Sequence, residues 1–353
     1  MTNNLLSIKL LDWFTINKRK LPWRENRNFY KTWLSEVMLQ QTQVKTVIPY
    51  FYNWIKKFPD YKSVAYATED DILKAWEGLG YYSRARNFKK SCELLEKNKI
   101  NINKITFLEF LKFPGVGNYT ASAVFSIIHN QVHPVIDGNV KRVTSRILRL
   151  KKNPDSCIVQ IRGYLNTKIC QKEPGKFNEA IMELGATICK PQIPNCLECP
   201  INKDCNGYKL NDFMIYPIKK EKKNKPHYNV SAGVIWDDNY IIISKRKASG
   251  MLGGLWEFPG GKIEKKETPE QCLKREVKEE ININIKINKF LGKIKHEYSH
   301  FSITLNAFEC TYISGKIKAI ECSEVRKIKL NDISKYPFPK ANHKIFKFLK
   351  KTK

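Results

Sequence analysis

The hydrophobic repeat of this chain changes once along its length, and that change divides the molecule. Up to about Leu210, apolar residues recur at helical spacing in LLSIKLLDWF, YKTWLSEVML, DILKAWEGLG and FNEAIMELGATIC, with caps and breakers between them. Beta-branched alternation is scarce there. From His227 onward VSAGVIW, YIIISKR, INIKINKFLGKI and FSITLNAFECTY read as short strands. TPEQCLKREVKEE is the one clear helix of this half before the C-terminal tail, with Thr268 at its N-cap, Pro269 at N1 and Gln271 closing a capping box. Between the halves YPIKKEKKNKP is polar, charged and proline-ended, and reads as a linker. At 353 residues the chain exceeds the size at which one core stops growing. The expectation is a multidomain protein: an all-α domain over 1–210, a linker over 211–227 and a smaller α+β domain over 228–353.

Some function classes fall away at once. No run of 18 uninterrupted apolar residues exists, so no membrane span is expected. MTNNLLSIKLLDWF lacks the basic stretch and apolar run of a signal peptide. The formal net charge of +29 is the electrostatic footprint of a polyanion binder. The crowding of Lys, Asn and Ile is also what drift toward AT-rich codons produces, so charge supports a nucleic-acid partner without establishing one.

Four of the ten cysteines, Cys189, Cys196, Cys199 and Cys205, share the segment CKPQIPNCLECPINKDC in the pattern C-x6-C-x2-C-x5-C. Four thiolates so close can wrap one metal centre, and Pro191, Pro194 and Pro200 stiffen the loop. Zinc ribbons show two C-x-x-C knuckles and only one is present here, so the spacing favours an iron–sulfur cluster over zinc while leaving zinc open. Cys92, Cys157, Cys170, Cys272, Cys310 and Cys322 are scattered singly, as small buried hydrophobes are. With no signal peptide, this usage suggests a reducing, cytoplasmic setting.

The stretch ITFLEFLKFPGVGNYTASAVFSII reads as helix, tight turn, helix. Gly115 and Gly117 permit backbone conformations closed to other residues, and the free N–H groups of the second helix suit a phosphate. In VIDGNVKRV, Asp137 follows an apolar run, either as the N-cap of the next helix or as a carboxylate with a task. Periodicity alone places Glu36 off the apolar stripe of its helix, as a solvated surface residue. Glu276, Glu279 and Glu280 recur at i, i+3 and i+4, a repulsive spacing that a divalent cation would relieve.

WLSEVMLQQTQV, GLGYYSRARN, FPGVGNYTASAV, VIDGNVKRV, FNEAIMELGATIC and the cysteine tail stand here in one order. Together they closely resemble the adenine DNA glycosylases of the helix-hairpin-helix glycosylase superfamily, over residues 5–210 and on into the second domain. The resemblance implies a [4Fe–4S] cluster on the four clustered cysteines. It further implies a monomer that excises adenine mispaired with 8-oxoguanine or guanine in double-stranded DNA. Glu36 matches the acid that protonates N7 of adenine, Asp137 the carboxylate that stabilises the oxocarbenium-like sugar, and Tyr119 and Asn139 the neighbours that orient them. Gln41 and Tyr81 match residues that wedge into the duplex, and Gly115 and Gly117 the hairpin that meets DNA. Endonuclease III-like enzymes carry a lysine nucleophile where Tyr119 stands; tyrosine cannot form a Schiff base, so the expectation is a monofunctional enzyme. Nearby Lys141 is assigned no catalytic role.

In the second half Gly261, Glu267, Arg275, Glu276, Glu279 and Glu280 follow G-x5-E-x7-R-E-x-x-E-E, and the domain resembles the Nudix-like C-terminal module of the same family. Tyr298, Ser299 and His300, in HEYSHFSITL, match the loop that recognises 8-oxoguanine in that family, with Ser299 at the position that contacts the oxidised base. The box is nearly complete: Asn282 stands where glycine is usual, and asparagine is the next-best residue for a left-handed helix end. Two readings stay open, a scaffold with idle carboxylates and a second active site for an oxidised nucleotide such as 8-oxo-dGTP. The second makes a Nudix pyrophosphohydrolase fused to a DNA-binding domain the alternative function.

Overall fold

The computed structural model describes residues 5–220 and 224–349. Part of the expected linker, 221–223, lies outside the described residues, as do 1–4 and 350–353. The described chain packs as two units: one holds the residues up to Ala65 and from Lys90 to Lys220, the other Tyr66–Lys89 with the residues from Asn224 on.

Helices follow one another through the first half: α1 (Leu5–Asn17), α2 (Phe29–Leu39), α3 (Val44–Lys57), α4 (Tyr61–Tyr66), α5 (Glu69–Trp76), α6 (Ser83–Lys97) and α7 (Phe107–Phe110). They continue with α8 (Asn118–Ile128), α9 (Gly138–Leu148), α10 (Ile158–Lys168), α11 (Pro174–Thr187) and α12 (Asn206–Lys209). In the first unit, one core gathers Leu10 and Phe14 of α1, Val143 of α9, Ile161 of α10 and Phe177 and Leu184 of α11. A second is aromatic. Phe29 meets Phe110 and Phe125 edge-on, with ring centroids 5.0 and 5.9 Å apart, and Trp33 meets Phe110 at 5.2 Å. As a result α2 is buried along its whole length except at Lys31 and Leu39.

The hairpin forms as read, with one refinement. The single turn of α7 is closed by a capping box between Thr106 and Glu109. Gly115 has φ +76°, the left-handed region glycine tolerates. Gly117 has φ −100° and ψ 175°, extended backbone open to any residue. The expectation that both glycines supply special conformations therefore holds for Gly115 alone. Gly117 is the N-cap of α8 and brings no side chain to it, so the first N–H groups of α8 keep no side-chain cap.

The second half is a mixed sheet between two helices. Strand β1 (His227–Asp237) pairs antiparallel with β2 (Tyr240–Lys245) and β4 (Gly260–Lys262) and parallel with β6 (Ser302–Ser314). β5 (Asn284–Glu297) completes a hairpin with β6, while β3 (Trp256–Glu257) and β7 (Glu324–Lys329) both pair with β2. Alternation sorts the side chains. Ile241 and Ile243 pack with Ile345 of α14 (Lys340–Leu349), whereas Ile242 packs with Leu273 and Val277 of α13 (Pro269–Ile281) on the other face. The start of α13 is as expected, with Thr268 and Gln271 exchanging bonds of 3.2 and 2.8 Å. Its end is too: Asn282 takes the left-handed conformation, φ 61°.

Segment Tyr66–Lys89 packs in this second unit through charged side chains. Asp70 accepts from Lys245 Nζ at 2.6 Å and from the Trp256 indole at 3.2 Å. Glu77 accepts from the Phe338 amide and bonds to His343 Nε2, both at 2.8 Å.

One close approach is needed to seat α11 on α9. A Cβ at Gly185 would stand 2.6 Å from Asn139 Cβ and 3.2 Å from its Cα. We predict that Gly185→Ala costs about 1–3 kcal/mol through this overlap, read as a lower midpoint at unchanged slope in urea unfolding.

Candidate active site

Helix α2 carries Glu36, and its burial corrects the reading from periodicity. Glu36 is only 5% exposed. The apolar stripe identifies only one packed face, whereas α8 also packs on α2 and every residue of α2 except Lys31 and Leu39 is buried. The Tyr119 hydroxyl, on the first turn of α8, donates to Glu36 Oε2 at 2.6 Å. Burial pushes the Glu36 carboxyl up to about 7; the Tyr119 bond and the Arg24 charge draw it down, and the charges of Glu179 and Asp137 push it up further. Burial also raises the Tyr119 phenol well above its ordinary range, so it remains a proton donor.

Asp137 is the N-cap of α9, and the cap is also what holds it. Its Oδ1 accepts the Val140 amide at 2.7 Å, and its Oδ2 accepts from the Asn139 side chain at 2.9 Å. Asn139 in turn accepts from Arg142 at 2.9 Å, and Arg142 reaches the Gly185 carbonyl at 2.7 Å. The extended residues leading into Asp137 are secured by buried Asn178, which accepts the Val135 amide at 3.1 Å and donates to the His133 carbonyl at 2.8 Å. Burial raises the Asp137 carboxyl, against the bonds from Val140 and Asn139 that favour its ionised form. Two carboxyl groups thus sit in different settings: one shielded and proton-holding, the other accepting bonds suited to an anion. Lys141 is turned to Asp155 at 2.7 Å.

The sequence reading missed a group of charges beside this site. Arg24 bonds Glu179 at 2.9 Å and Glu183 at 3.0 Å; Arg27 adds bonds of 2.8 and 2.9 Å to Glu179, and Arg19 one of 2.5 Å to Glu183. A cavity of about 670 Å³ is lined by Arg19, Arg24, Arg27 and Glu179. The signal was available: Glu179 and Glu183 stand at i, i+4, the spacing noticed in the second domain but overlooked inside FNEAIMELGATIC.

Cys189, Cys199 and Cys205 pack against the core of α1, α9 and α11, and Cys196 is partly buried in the same loop. Burial and the neighbouring thiols raise the pKa of Cys196 and Cys205, and push Cys199 up to about 12. Buried Arg146 donates to Cys189 Sγ at 3.2 Å and to the Lys190 and Pro191 carbonyls at 2.8 and 3.2 Å, tying the loop to α9. Among the described residues no three His, Cys, Asp or Glu side chains converge tightly enough for a single ion. A four-iron cluster makes a different demand, one thiolate per iron with the sulfurs spread around a cuboid. Four thiols in one loop, close enough to influence one another, supply that donor set.

Gln41, just after α2, is exposed with φ 58°, and Tyr81, between α5 and α6, has φ 48°. Such backbone is uncommon for side chains of this size. In the second unit Ser299 and His300 are the exposed tip of the β5–β6 turn, closed by a Tyr298-to-Phe301 backbone bond of 2.8 Å and the stacked rings of the same two residues. The His300 ring meets Tyr81 edge-on at 5.9 Å.

The carboxylates of α13 are largely engaged. Arg275 bonds Glu267 at 2.8 Å, Glu279 at 2.9 Å and Glu276 at 3.1 Å, and holds the Glu267 carboxyl down to about 2. Glu280 is buried and accepts the Gly260 amide at 3.2 Å; burial, then the nearby Glu257, pushes it up to about 7. Glu257 is paired with Arg246 at 2.6 Å. Arg246, Glu257, Glu276 and Glu280 line a cavity of about 830 Å³.

Residues 34–162 match the family of HhH-GPD superfamily base excision DNA repair proteins, and residues 231–348 match the NUDIX domain. An adenine DNA glycosylase of Buchnera aphidicola subsp. Schizaphis graminum is 37% identical over 306 residues, covering 86% of each chain. That of Mus musculus is 32% identical over 356 residues, covering 85% of this chain and 69% of its own. Among solved structures, a thermostable thymine-DNA glycosylase superposes with TM-score 0.53 at 22% identity, over 58% of this chain and 96% of its own. A trapped endonuclease III–DNA covalent intermediate does so with TM-score 0.51, also at 22% identity, over 58% and 94%. These two show the fold of the helical half. With both halves matched in order, and identity above 30% sustained over most of each relative, the chain belongs to the adenine DNA glycosylase family.

Proposed function

We propose that this protein is a monofunctional glycosylase that removes adenine mispaired with 8-oxoguanine or guanine in double-stranded DNA. The observation that carries the reading is the 2.6 Å bond from Tyr119 to a buried Glu36 carboxyl that keeps its proton near neutrality. Glu36 gives that proton to N7 of the extruded adenine. The C1′–N9 bond breaks with its electron pair leaving on the base, and the Asp137 carboxylate faces the positive charge on the sugar. Water adds at C1′, and the proton it loses passes to a carboxylate. Tyr119 and Asn139 position Glu36 and Asp137. A phenol at position 119, with Lys141 engaged by Asp155, supports water rather than an amine as the nucleophile.

DNA enters this scheme through three features. The uncapped start of α8 after Gly115 and Gly117 suits a backbone phosphate. Gln41 and Tyr81 insert into the duplex, and Ser299 and His300 contact the oxidised base. Cys189, Cys196, Cys199 and Cys205 hold a [4Fe–4S] cluster, which when bound fixes their loop through four iron–thiolate bonds. The ties from Arg275 to Glu267, Glu276 and Glu279 favour a scaffold role for the second domain over nucleotide hydrolysis. The chain acts as a monomer in the cytoplasm; among the described residues no helix is long and apolar enough to cross a membrane.

Glu36→Gln should lower single-turnover excision from an adenine:8-oxoguanine duplex by at least about 10²-fold, with duplex affinity within a few-fold of the parent. Undiminished excision would refute the assigned acid. The parent's rate should fall as pH rises through about 7, where Glu36 loses its proton. Stability should respond with the opposite sign in the variant. A buried carboxyl whose folded pKa is raised destabilises the protein progressively as pH climbs from the unfolded value to about 7. Glu36→Gln should therefore melt higher than the parent at pH 8, and the gain should shrink as pH falls and vanish below about pH 4.5. Ser299→Ala should shrink the preference for adenine opposite 8-oxoguanine over adenine opposite guanine, measured as the ratio of excision rates. Cys199→Ser should reduce iron below about four atoms per chain, measured by metal analysis of the purified protein.

A further inference from the structure

Tyr81 lies in the turn Gly78-Leu79-Gly80-Tyr81, where Gly78, Gly80 and Tyr81 have φ of 101°, 73° and 48°. A tyrosine in left-handed backbone costs on the order of 1–3 kcal/mol and persists only where its surroundings over-determine it. Here the surroundings centre on Arg84, in the first turn of α6 and 9% exposed. Its Nη2 donates to the Leu79 carbonyl at 3.3 Å and the Gly80 carbonyl at 3.1 Å. The Trp76 indole donates to the same Gly80 oxygen at 3.1 Å, and the Gly78 amide donates to the Tyr82 hydroxyl at 3.2 Å. The guanidinium lies 5.2 Å from the Trp76 ring and 5.6 Å from the Tyr81 ring. Tyr81 is thus flanked by a buried cation, while the imidazole of His300 meets it edge-on at 5.9 Å.

We propose that Arg84 is a positioning residue that holds the 78–81 turn and the Tyr81 ring in their DNA-ready arrangement before the duplex arrives. This rests on the reading that Tyr81 inserts into DNA. The planar head is what the task as built requires: one Nη2 bonds two consecutive carbonyls while the guanidinium plane lies near the Trp76 and Tyr81 rings. Lysine keeps the charge and loses the planar head that lies near the two rings; methionine keeps much of the bulk and loses both. Ordering the turn in advance spares that entropy during binding and extrusion.

The test is a double-mutant cycle in the full chain with an adenine:8-oxoguanine duplex. Affinity is measured in the Glu36→Gln background to prevent turnover, and single-turnover excision is measured with Glu36 intact. Arg84→Met should weaken affinity and slow excision at saturating enzyme by about 10-fold each. Arg84→Lys should recover less than half of that loss on a logarithmic scale, and carries the test alone if the methionine variant fails to fold. In both, the fall in rate should still occur near pH 7, because Glu36 is untouched, whereas general loosening of the fold would displace it. Adding either Arg84 substitution to Tyr81→Ala should cost less than a further 2-fold, since the positioned ring is already gone. Full multiplication of the two losses, or full activity in Arg84→Lys, would overturn the assignment of Arg84 while leaving Tyr81 insertion intact. No effect of Tyr81→Ala by itself would overturn the insertion reading and the role of Arg84 with it.

Discussion

Burial of the Glu36 carboxyl is the constraint to which the helical half is built. A carboxylic acid in water gives up its proton well below neutrality, and removing it from water reverses that preference. The cost is borne by α2, which is enclosed from nearly every direction by aromatic side chains and by α8. The phenol of Tyr119 limits the penalty by supplying one well-placed donor without neutralising the acid. The ion pairs among Arg19, Arg24, Arg27, Glu179 and Glu183 then set the local field. Glu179 makes ionisation of Glu36 harder and Arg24 makes it easier, so the acidity of Glu36 depends on one charge near it in sequence and another far along the chain.

Much of this was legible in the sequence wherever a single side chain had to satisfy a local rule. Thr268, Gln271 and Asn282 mark both ends of α13 because caps and left-handed helix ends accept few residue types. Asp137 was read as either a cap or a functional carboxylate, and the structure makes it a cap whose bonds also orient the carboxylate. Glu36 was illegible by periodicity because a helical wheel finds the strongest apolar stripe and cannot see a second covering helix. The strands β3 and β4, of two and three residues, are too short to alternate, and β7 (EVRKIK) is mostly charged. Gly185 stood in plain view, but the overlap it avoids is with Asn139, and only the fold brings that residue near.

Arginine recurs at the points where the chain must hold irregular backbone. Arg146 ties the cysteine loop to α9, Arg142 links Asn139 to the end of α11, and Arg275 gathers carboxylates that would otherwise repel along α13. Each exploits a rigid multi-donor head that lysine lacks, although lysine is abundant in this sequence. Compositional drift and structural demand can therefore be separated residue by residue: the +29 net charge belongs to the whole sequence, while these multiply bonded guanidinium groups belong to the architecture.

The grouping of Tyr66–Lys89 with the second half alters what a gene-level division of this protein would produce. Cutting the chain at the linker looks clean in sequence. It would nonetheless split a discontinuous unit, leaving Asp70 without Lys245 and the Trp256 indole, and Glu77 without the Phe338 amide and His343. A fragment ending there would carry a freshly exposed acidic face on α5. Such a fragment measures the loss of a folding partner as well as the loss of the second half itself, and chimeras that exchange the second half must exchange the 66–89 insert with it.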